Sequence, residues 1–153
     1  GQFSIVFGVN SIGIVGGSIV NTRLIGRFHA RQLLKFGVLM LLTVGVLLVL
    51  EVTIGGTNRW VVLSLLFLVT TAIGFVMGNA TALGQSEVPQ AAGTGSALMG
   101  AGQFGLAAVV SPLVGGSATG MATSILVCAA IAATALLTLT KPAASRRDLQ
   151  YVE

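Results

Sequence analysis

Apolar residues occur along this chain in long runs, and short segments that contain the charges, prolines and glycine pairs separate the runs. The longest interval without a charged residue lies between Glu87 and Lys141 and holds 53 residues. One helix needs about 20 apolar residues to cross a bilayer core. The interval is therefore too long for one crossing and suits two, with a tight turn predicted at 115–120. The pattern predicts a polytopic membrane protein.

Five segments are predicted to cross the bilayer, followed by a tail at 141–153. A segment in lipid must satisfy its own backbone hydrogen bonds, so each segment is expected to be an α-helix. A membrane β-barrel needs strands of alternating polarity, and the Leu- and Val-rich run at 39–50 does not alternate. The sequence thus predicts an all-α membrane protein with spans at about 3–22, 34–54, 60–83, 93–115 and 121–140.

Composition agrees with a membrane protein. Hydrophobic residues make up 54% of the chain and charged residues 8%, whereas soluble domains carry about 25% charged residues. The net charge of +4 is attributed to loops beside the spans and not to nucleic-acid binding. Cys128 lies within an apolar run and is expected to pack as a small hydrophobe. Because no initiator Met or signal segment precedes the first span, the chain is expected to be part of a longer protein.

Basic residues predict the orientation of the chain. Arg23, Arg27, Arg31 and Lys35 lie between the first two spans, and Lys141, Arg146 and Arg147 follow the last one. Four crossings separate the two clusters, so both lie on one side, which the positive-inside rule makes cytoplasmic. The loop at 55–59 has a single basic residue, Arg59. The expected location is the inner (plasma) membrane, with the C-terminus in the cytoplasm.

Several short strings, in their order and spacing, resemble the C-terminal half of a major facilitator superfamily transporter. Among its groups the chain resembles the Bcr/CflA multidrug efflux proteins most. The resemblance covers almost the whole chain, and the strings that carry it are Phe3-Ser4, Asn10-Ser11-Ile12-Gly13, Gly17-Ser18 with Asn21, Asn79-Ala80-Thr81-Ala82-Leu83, Pro89, Ala92-Gly93-Thr94-Gly95-Ser96-Ala97-Leu98, Gln103-Phe104 and Ser111-Pro112-Leu113.

The resemblance implies a protein of two six-helix halves that works by alternating access. The five spans would correspond to helices eight to twelve, and the N-terminal half and the seventh helix would be missing partners. The chain departs from the family in one signature loop. Asn21 stands where the family has an acidic residue after Gly17, so a charged gate contact is not expected, although an Asn hydrogen bond is possible. Arg23, Arg27, Arg31 and Lys35 are interpreted as topology anchors or as a gating latch.

Polar groups within the spans are the candidate substrate contacts. Thr71, Phe75 and Asn79 are spaced by four, so they lie on one stripe of a helix, and Gln103 joins them if the third and fourth spans are neighbours. The stripe combines polar and aromatic groups, as ligand pockets do. Hydrogen bonding between helices is the alternative for the amide side chains, including Asn10, and core packing is the alternative for Phe75.

The predicted function is secondary transport, and by resemblance it is proton-coupled efflux of drug-like compounds. The alternatives are a membrane assembly protein that does not transport and a carrier for sugars or other metabolites. No catalytic constellation or metal-ligand spacing occurs, so neither an enzyme, a cofactor nor a metal site is predicted. The isolated His29 is interpreted as solvated. No carboxylate lies mid-span, and a proton-carrying acid is therefore expected outside this chain.

Overall fold

The computed structural model describes residues 2–54 and 58–139. These residues form five long α-helices and no β-strand, which confirms the predicted all-helical fold. The helices are α1 Gln2–Leu24, α2 Ala30–Thr53, α3 Arg59–Ser86, α4 Ala92–Val110 and α5 Ala118–Leu139. Two short 3₁₀ turns, Pro89–Ala91 and Ser111–Val114, lie on either side of α4. The predicted tail, 141–153, lies outside the described residues.

Four of the five helices are long and apolar enough to cross a membrane, and these are α1, α2, α3 and α5. The Gly-rich α4 has 19 residues and ends at Val110, whereas its span was predicted to continue to residue 115. Pro112 accounts for the difference, because proline lacks the N–H that an α-helix requires. Gly115 and Gly116 follow with φ of 62° and 66°. This left-handed backbone suits glycine and reverses the chain into α5, within the predicted turn.

The helices pack in an order that differs from their order in the chain. α3 lies between α1 and α2, and α5 packs on α2. The apolar core joins α2, α3 and α5, and its buried members are Val44, Leu48, Leu65, Val69 and Ala122. Gly45 of α2 lets α5 approach closely, since a Cβ there would lie 3.3 Å from the Cα of Leu126. The first helix is outside this core and contacts only α3 extensively.

A polar cap fixes the start of α3. The Asn58 side-chain oxygen accepts a hydrogen bond from the backbone N–H of Trp60 at 3.1 Å. The backbone N–H of Asn58 in turn donates to Glu51 Oε1 at the end of α2, at 3.0 Å. Asparagine at this position satisfies one of the free N–H groups of a helix start. The two bonds therefore set where α3 begins relative to the end of α2.

Large apolar side chains cover the exterior. Phe104 of α4 is 80% exposed and Leu137 of α5 is 76% exposed. None of the residues of α4 is buried. Apolar surface on this scale is characteristic of contact with lipid or with further protein, which agrees with a protein that lies in a membrane.

Candidate functional site between α1 and α3

The polar groups of interest gather where α1 and α3 run side by side. Gly13 lies beside Phe67 and Thr70, Gly17 lies beside Thr71, and Asn21 contacts Asn79. Residue numbers rise together along both helices, so α1 and α3 are parallel. The two helices touch along their C-terminal parts and separate towards their N-terminal ends. We name these regions the closed end (13–21 of α1 with 70–79 of α3) and the open end (5–10 with 60–68).

At the closed end, glycines bring the two backbones into contact. A Cβ placed on Gly17 would collide with the carbonyl oxygen of Thr71. A Cβ on Gly74 would lie 2.6 Å from the carbonyl oxygen of Ile14 and 2.8 Å from the N atom of Ser18. Neither position has room for a side chain larger than hydrogen. Such close approach is the usual means by which membrane helices associate.

The closed end also contains a buried pair of asparagines. Asn79 Nδ2 donates to Asn21 Oδ1 at 2.6 Å and to the Phe75 carbonyl oxygen of its own helix at 2.8 Å. The exposed fraction of the residue is 4% for Asn21 and 1% for Asn79. Burying an amide without a hydrogen bond is costly. The bond between the pair therefore favours the alignment of α1 and α3 in which these two residues meet.

This pairing joins residues that the sequence analysis had assigned to two different sites. Asn79 was predicted to contact substrate, and Asn21 was assigned to the loop with a possible hydrogen bond. In the structure Asn79 forms a hydrogen bond between helices, which was the alternative considered for it. A role in binding substrate stays a prediction.

The other two members of the predicted stripe also face neighbouring helices. Phe75 is buried against α2, where its ring meets Phe36 edge-on at a centroid distance of 5.6 Å, and its Cβ lies close to Gly37. Thr71 is half-buried, and its hydroxyl donates to the Phe67 carbonyl oxygen of its own helix at 2.8 Å. The stripe thus lies at the junction of α1, α2 and α3, and not on an open face.

Gln103 lies apart from these three residues. It is exposed on α4, and its Nε2 is 4.0 Å from the Met77 sulfur of α3. Two further contacts hold α4 to α3: Gln85 Nε2 donates to Ser96 Oγ at 2.9 Å, and Met99 lies over Gly84. The condition for Gln103 to join the stripe, that the third and fourth spans are neighbours, is met only along this narrow line. Gln103 remains a candidate substrate contact because the residue is exposed.

The basic loop is a break between two helices. Arg23 lies in the last turn of α1, Arg27 in the turn, and Arg31 and Lys35 in the first turns of α2. The four residues therefore do not form a single stripe. The break ends at His29, whose backbone N–H donates to Gln32 Oε1 at 3.2 Å and so caps α2. The topological and gating roles of this loop stay predictions.

At the open end, the separation of the helices leaves a groove of about 550 Å³. Its walls are mostly apolar, and Trp60 lies at its mouth, where the Arg59 guanidinium carbon is 5.2 Å from the centre of the indole ring. Phe67, which meets Gly13 at the start of the closed end, also lines the groove. The lining residues are Ile5, Val6, Val9, Asn10, Trp60, Leu63, Ser64, Phe67 and Leu68.

Asn10 is the one amide side chain that lines the groove. Its Nδ2 donates to the Val6 carbonyl oxygen one turn earlier, at 3.0 Å. Its Oδ1 is buried and accepts no hydrogen bond within the described part of the chain. The other polar side chain of the lining is Ser64, whose hydroxyl donates to the Trp60 carbonyl oxygen at 2.9 Å. The groove therefore combines an apolar body with one unused acceptor.

Asn10 stands out in the sequence as an amide within a span, but no sequence pattern predicts the groove. Trp60, Ser64 and Phe67 are not assigned to a site by the sequence alone. One signal was present in the sequence. The glycines at 13, 17 and 74, where a Cβ would meet the neighbouring helix, all lie in the closed end.

The helical fold, the apolar exterior and the polar groups between helices define a multi-pass membrane protein. Comparison of the sequence with known proteins gives a match to "Uncharacterized MFS-type transporter YdgK" of Bacillus subtilis (strain 168), which is 33% identical over 142 residues. The match covers 91% of this chain and 35% of that protein, so the chain spans about a third of the length of the curated relative. No family model and no solved structure matches the sequence. Over most of its own length the chain is therefore similar to a protein of the major facilitator superfamily.

Proposed function

We propose that this chain forms the C-terminal part of a major facilitator transporter that exports drug-like compounds in exchange for protons. The observation that carries the proposal is the match to an MFS-type transporter across 91% of the chain. The strings at 79–83, 92–98 and 111–113 favour the Bcr/CflA group within that superfamily. Alternating access would then move substrate between two sets of helices.

The distribution of packed and open faces supports a partner set of helices. Gly8 of α1 and Gly93, Gly100 and Gly105 of α4 have no atom within 4 Å of a Cβ placed on them. Glycine carries a conformational cost within a helix, and in membranes it is concentrated where another helix approaches. We propose that the missing N-terminal half and the preceding helix cover these faces.

The four predicted substrate residues differ in what contact with a substrate would require. Gln103 is exposed and can contact a substrate in the described arrangement. Phe75 and Asn79 are buried, so a substrate would reach them only after α1 or α2 has moved away from α3. Thr71 lies between these cases, since it is half-buried beside Gly17. Rocking of one half against the other does not separate helices of the same half, so contact of Phe75 or Asn79 with substrate would require a rearrangement within this half.

Substitution of these residues in the full-length protein tests the proposal. Efflux of several unrelated dyes would be measured in inverted vesicles together with the amount of folded protein. Gln103→Leu is expected to change the relative rates among the dyes with little change in protein level. Asn79→Leu is expected to alter preference more than it lowers protein level if the residue meets substrate. A uniform loss for every dye, in step with protein level, would assign Asn79 to structure alone.

Proton coupling is proposed to depend on an acidic residue outside this chain. Glu51 accepts a hydrogen bond at the end of α2, and no carboxylate lies within the middle of any span. Efflux by the full-length protein is therefore expected to stop when the proton gradient is collapsed, and to continue at a reduced rate in Glu51→Gln. Complete loss of coupling in Glu51→Gln, at a normal protein level, would contradict this assignment.

The orientation is proposed to place the 25–29 turn and the C-terminal tail in the cytoplasm. Single cysteines at Gln32 and Gly56, in a Cys128→Ala background, would report on the two sides of the membrane. An impermeant maleimide added to intact cells is expected to label Gly56→Cys and not Gln32→Cys. Labelling of Gln32→Cys from outside would reverse the proposed topology.

A further inference from the structure

We infer that the groove at the open end binds a lipophilic molecule that carries one hydrogen-bond donor. This site is separate from the predicted substrate residues, and the inference concerns binding alone, so it stands whether or not the chain takes part in transport. Three features of the groove carry it: its size, its unpaired acceptor and its charged mouth.

The shape follows from the packing of α1 against α3. Glycines bring the helices together from Gly13 onwards, and before it Ile5, Val9 and Leu63 line a groove between them. Its volume of about 550 Å³ lies within the range of about 300–1,000 Å³ that is typical of small-molecule pockets. The walls are apolar, as in most such pockets, with few polar groups to fix orientation.

One unpaired acceptor selects the class of ligand. Asn10 Oδ1 is a buried acceptor without a donor, and leaving such a group unsatisfied is unfavourable. Asn10 lines the groove, and the terminal torsion of an asparagine is broad, so rotation about this torsion would bring the oxygen to the groove. A ligand with a hydroxyl or N–H group at its leading end satisfies it. The methyl end of a lipid acyl chain cannot, which favours a compact aromatic alcohol or amine over lipid as the occupant.

The mouth of the groove favours aromatic ligands that are neutral or anionic at their outer end. Trp60 is 69% exposed and offers one face for stacking, while the Arg59 guanidinium lies over the ring. A second cation here would be repelled by Arg59. The donor at the inner end is consequently expected to be a neutral hydroxyl or N–H.

Trp60 is the single tryptophan of the sequence and serves as a built-in reporter. The protein would be reconstituted in nanodiscs of a zwitterionic phospholipid, with any tryptophan of a longer form replaced by Phe. The probes are 6-bromo-2-naphthol and 2-bromo-6-methylnaphthalene. Both probes have a similar shape and a bromine that quenches tryptophan fluorescence, but only the naphthol has a hydroxyl that can donate a hydrogen bond. Both probes are expected to quench Trp60 fluorescence in a saturable way. The naphthol is expected to bind about fivefold more tightly, which is the affinity difference that one net hydrogen bond gives.

Three variants complete the test. Asn10→Leu is expected to abolish the preference for the naphthol while it keeps saturable binding of the methyl analogue, which also shows that the fold is intact. Val9→Phe fills the groove and is expected to remove saturable quenching by both probes. Ile12→Phe, an exposed position on the same helix that does not line the groove, is the matched control and is expected to leave both unchanged.

Two outcomes would overturn the inference. One is equal affinity of the two probes for the unaltered protein, because the Asn10 acceptor would then select nothing. The other comes from nanodiscs made with brominated acyl chains. If these chains quench Trp60, if Val9→Phe reduces that quenching and if the naphthol does not compete with it, the chains occupy the groove. That result would assign the groove to lipid.

Discussion

The closed and open ends of the α1–α3 interface are built from the same two helices, yet only the closed end pairs amides across the interface. At the closed end, Gly17 and Gly74 allow backbone contact, and Asn79 Nδ2 donates to Asn21 Oδ1 at 2.6 Å. At the open end, Asn10 Nδ2 donates only within its own helix. The Oδ1 atoms of Asn10 and Asn79 both lack a partner in the described residues, so the difference lies in the bond between helices. An asparagine in a membrane helix therefore links two helices only where they approach closely enough to give it a partner.

The glycine contact is expected to give the largest effect. Gly17→Ala places a methyl group against the Thr71 carbonyl oxygen, and overpacking of this kind costs about 1–3 kcal/mol. Gly16→Ala, at the adjacent position with open space, is the matched control. Alanine is a better helix former than glycine by about 1 kcal/mol, and this gain applies to both variants. Denaturant unfolding in mixed micelles would measure the difference. Equal stability of the two variants would mean that the backbone contact at Gly17 does not stabilise the packing of α1 against α3.

The asparagine pair comes next. Asn21→Leu, Asn79→Leu and the double variant form a double-mutant cycle. The expected coupling is about 0.6 kcal/mol and at most about 1.7, the range measured for hydrogen bonds between membrane helices. Unfolding free energies of the four proteins give the coupling directly. A parallel cycle of Asn10→Leu with Asn79→Leu should be additive, since Asn10 donates only within its own helix. Additivity in the first cycle as well would mean that the pair does not stabilise the interface.

Asn10 should show the smallest change, and one of opposite sign. Asn10→Leu removes a buried acceptor without a partner, whose cost is about 1–3 kcal/mol, and also loses the bond to Val6, worth about 1 kcal/mol. The expected net result is a small rise in the free energy of unfolding. Ser64→Ala is the control, because its hydroxyl is already bonded within α3. A clear loss of stability in Asn10→Leu would show that its oxygen has a partner in the membrane.

The resemblance and the apolar runs were enough to predict the fold class, and the comparison supports the superfamily. The candidate site was predicted less well. The amides at 10, 21 and 79 were all recognised as unusual, but the pairing of two of them and the isolation of the third were not. Residues 21 and 79 are 58 positions apart, and no local pattern indicates which helices will be neighbours.

The sequence by itself determined which segments are helices, because a lipid-embedded backbone must bond within its own segment. It also determined where α4 ends, since Pro112 acts on its own turn. Only the tertiary structure decided that α3 lies between α1 and α2, that Asn21 meets Asn79, and that a groove opens above Gly13. These features depend on the distance and alignment of two helices. Contacts between distant glycines set both, and such contacts exist only once the helices have packed.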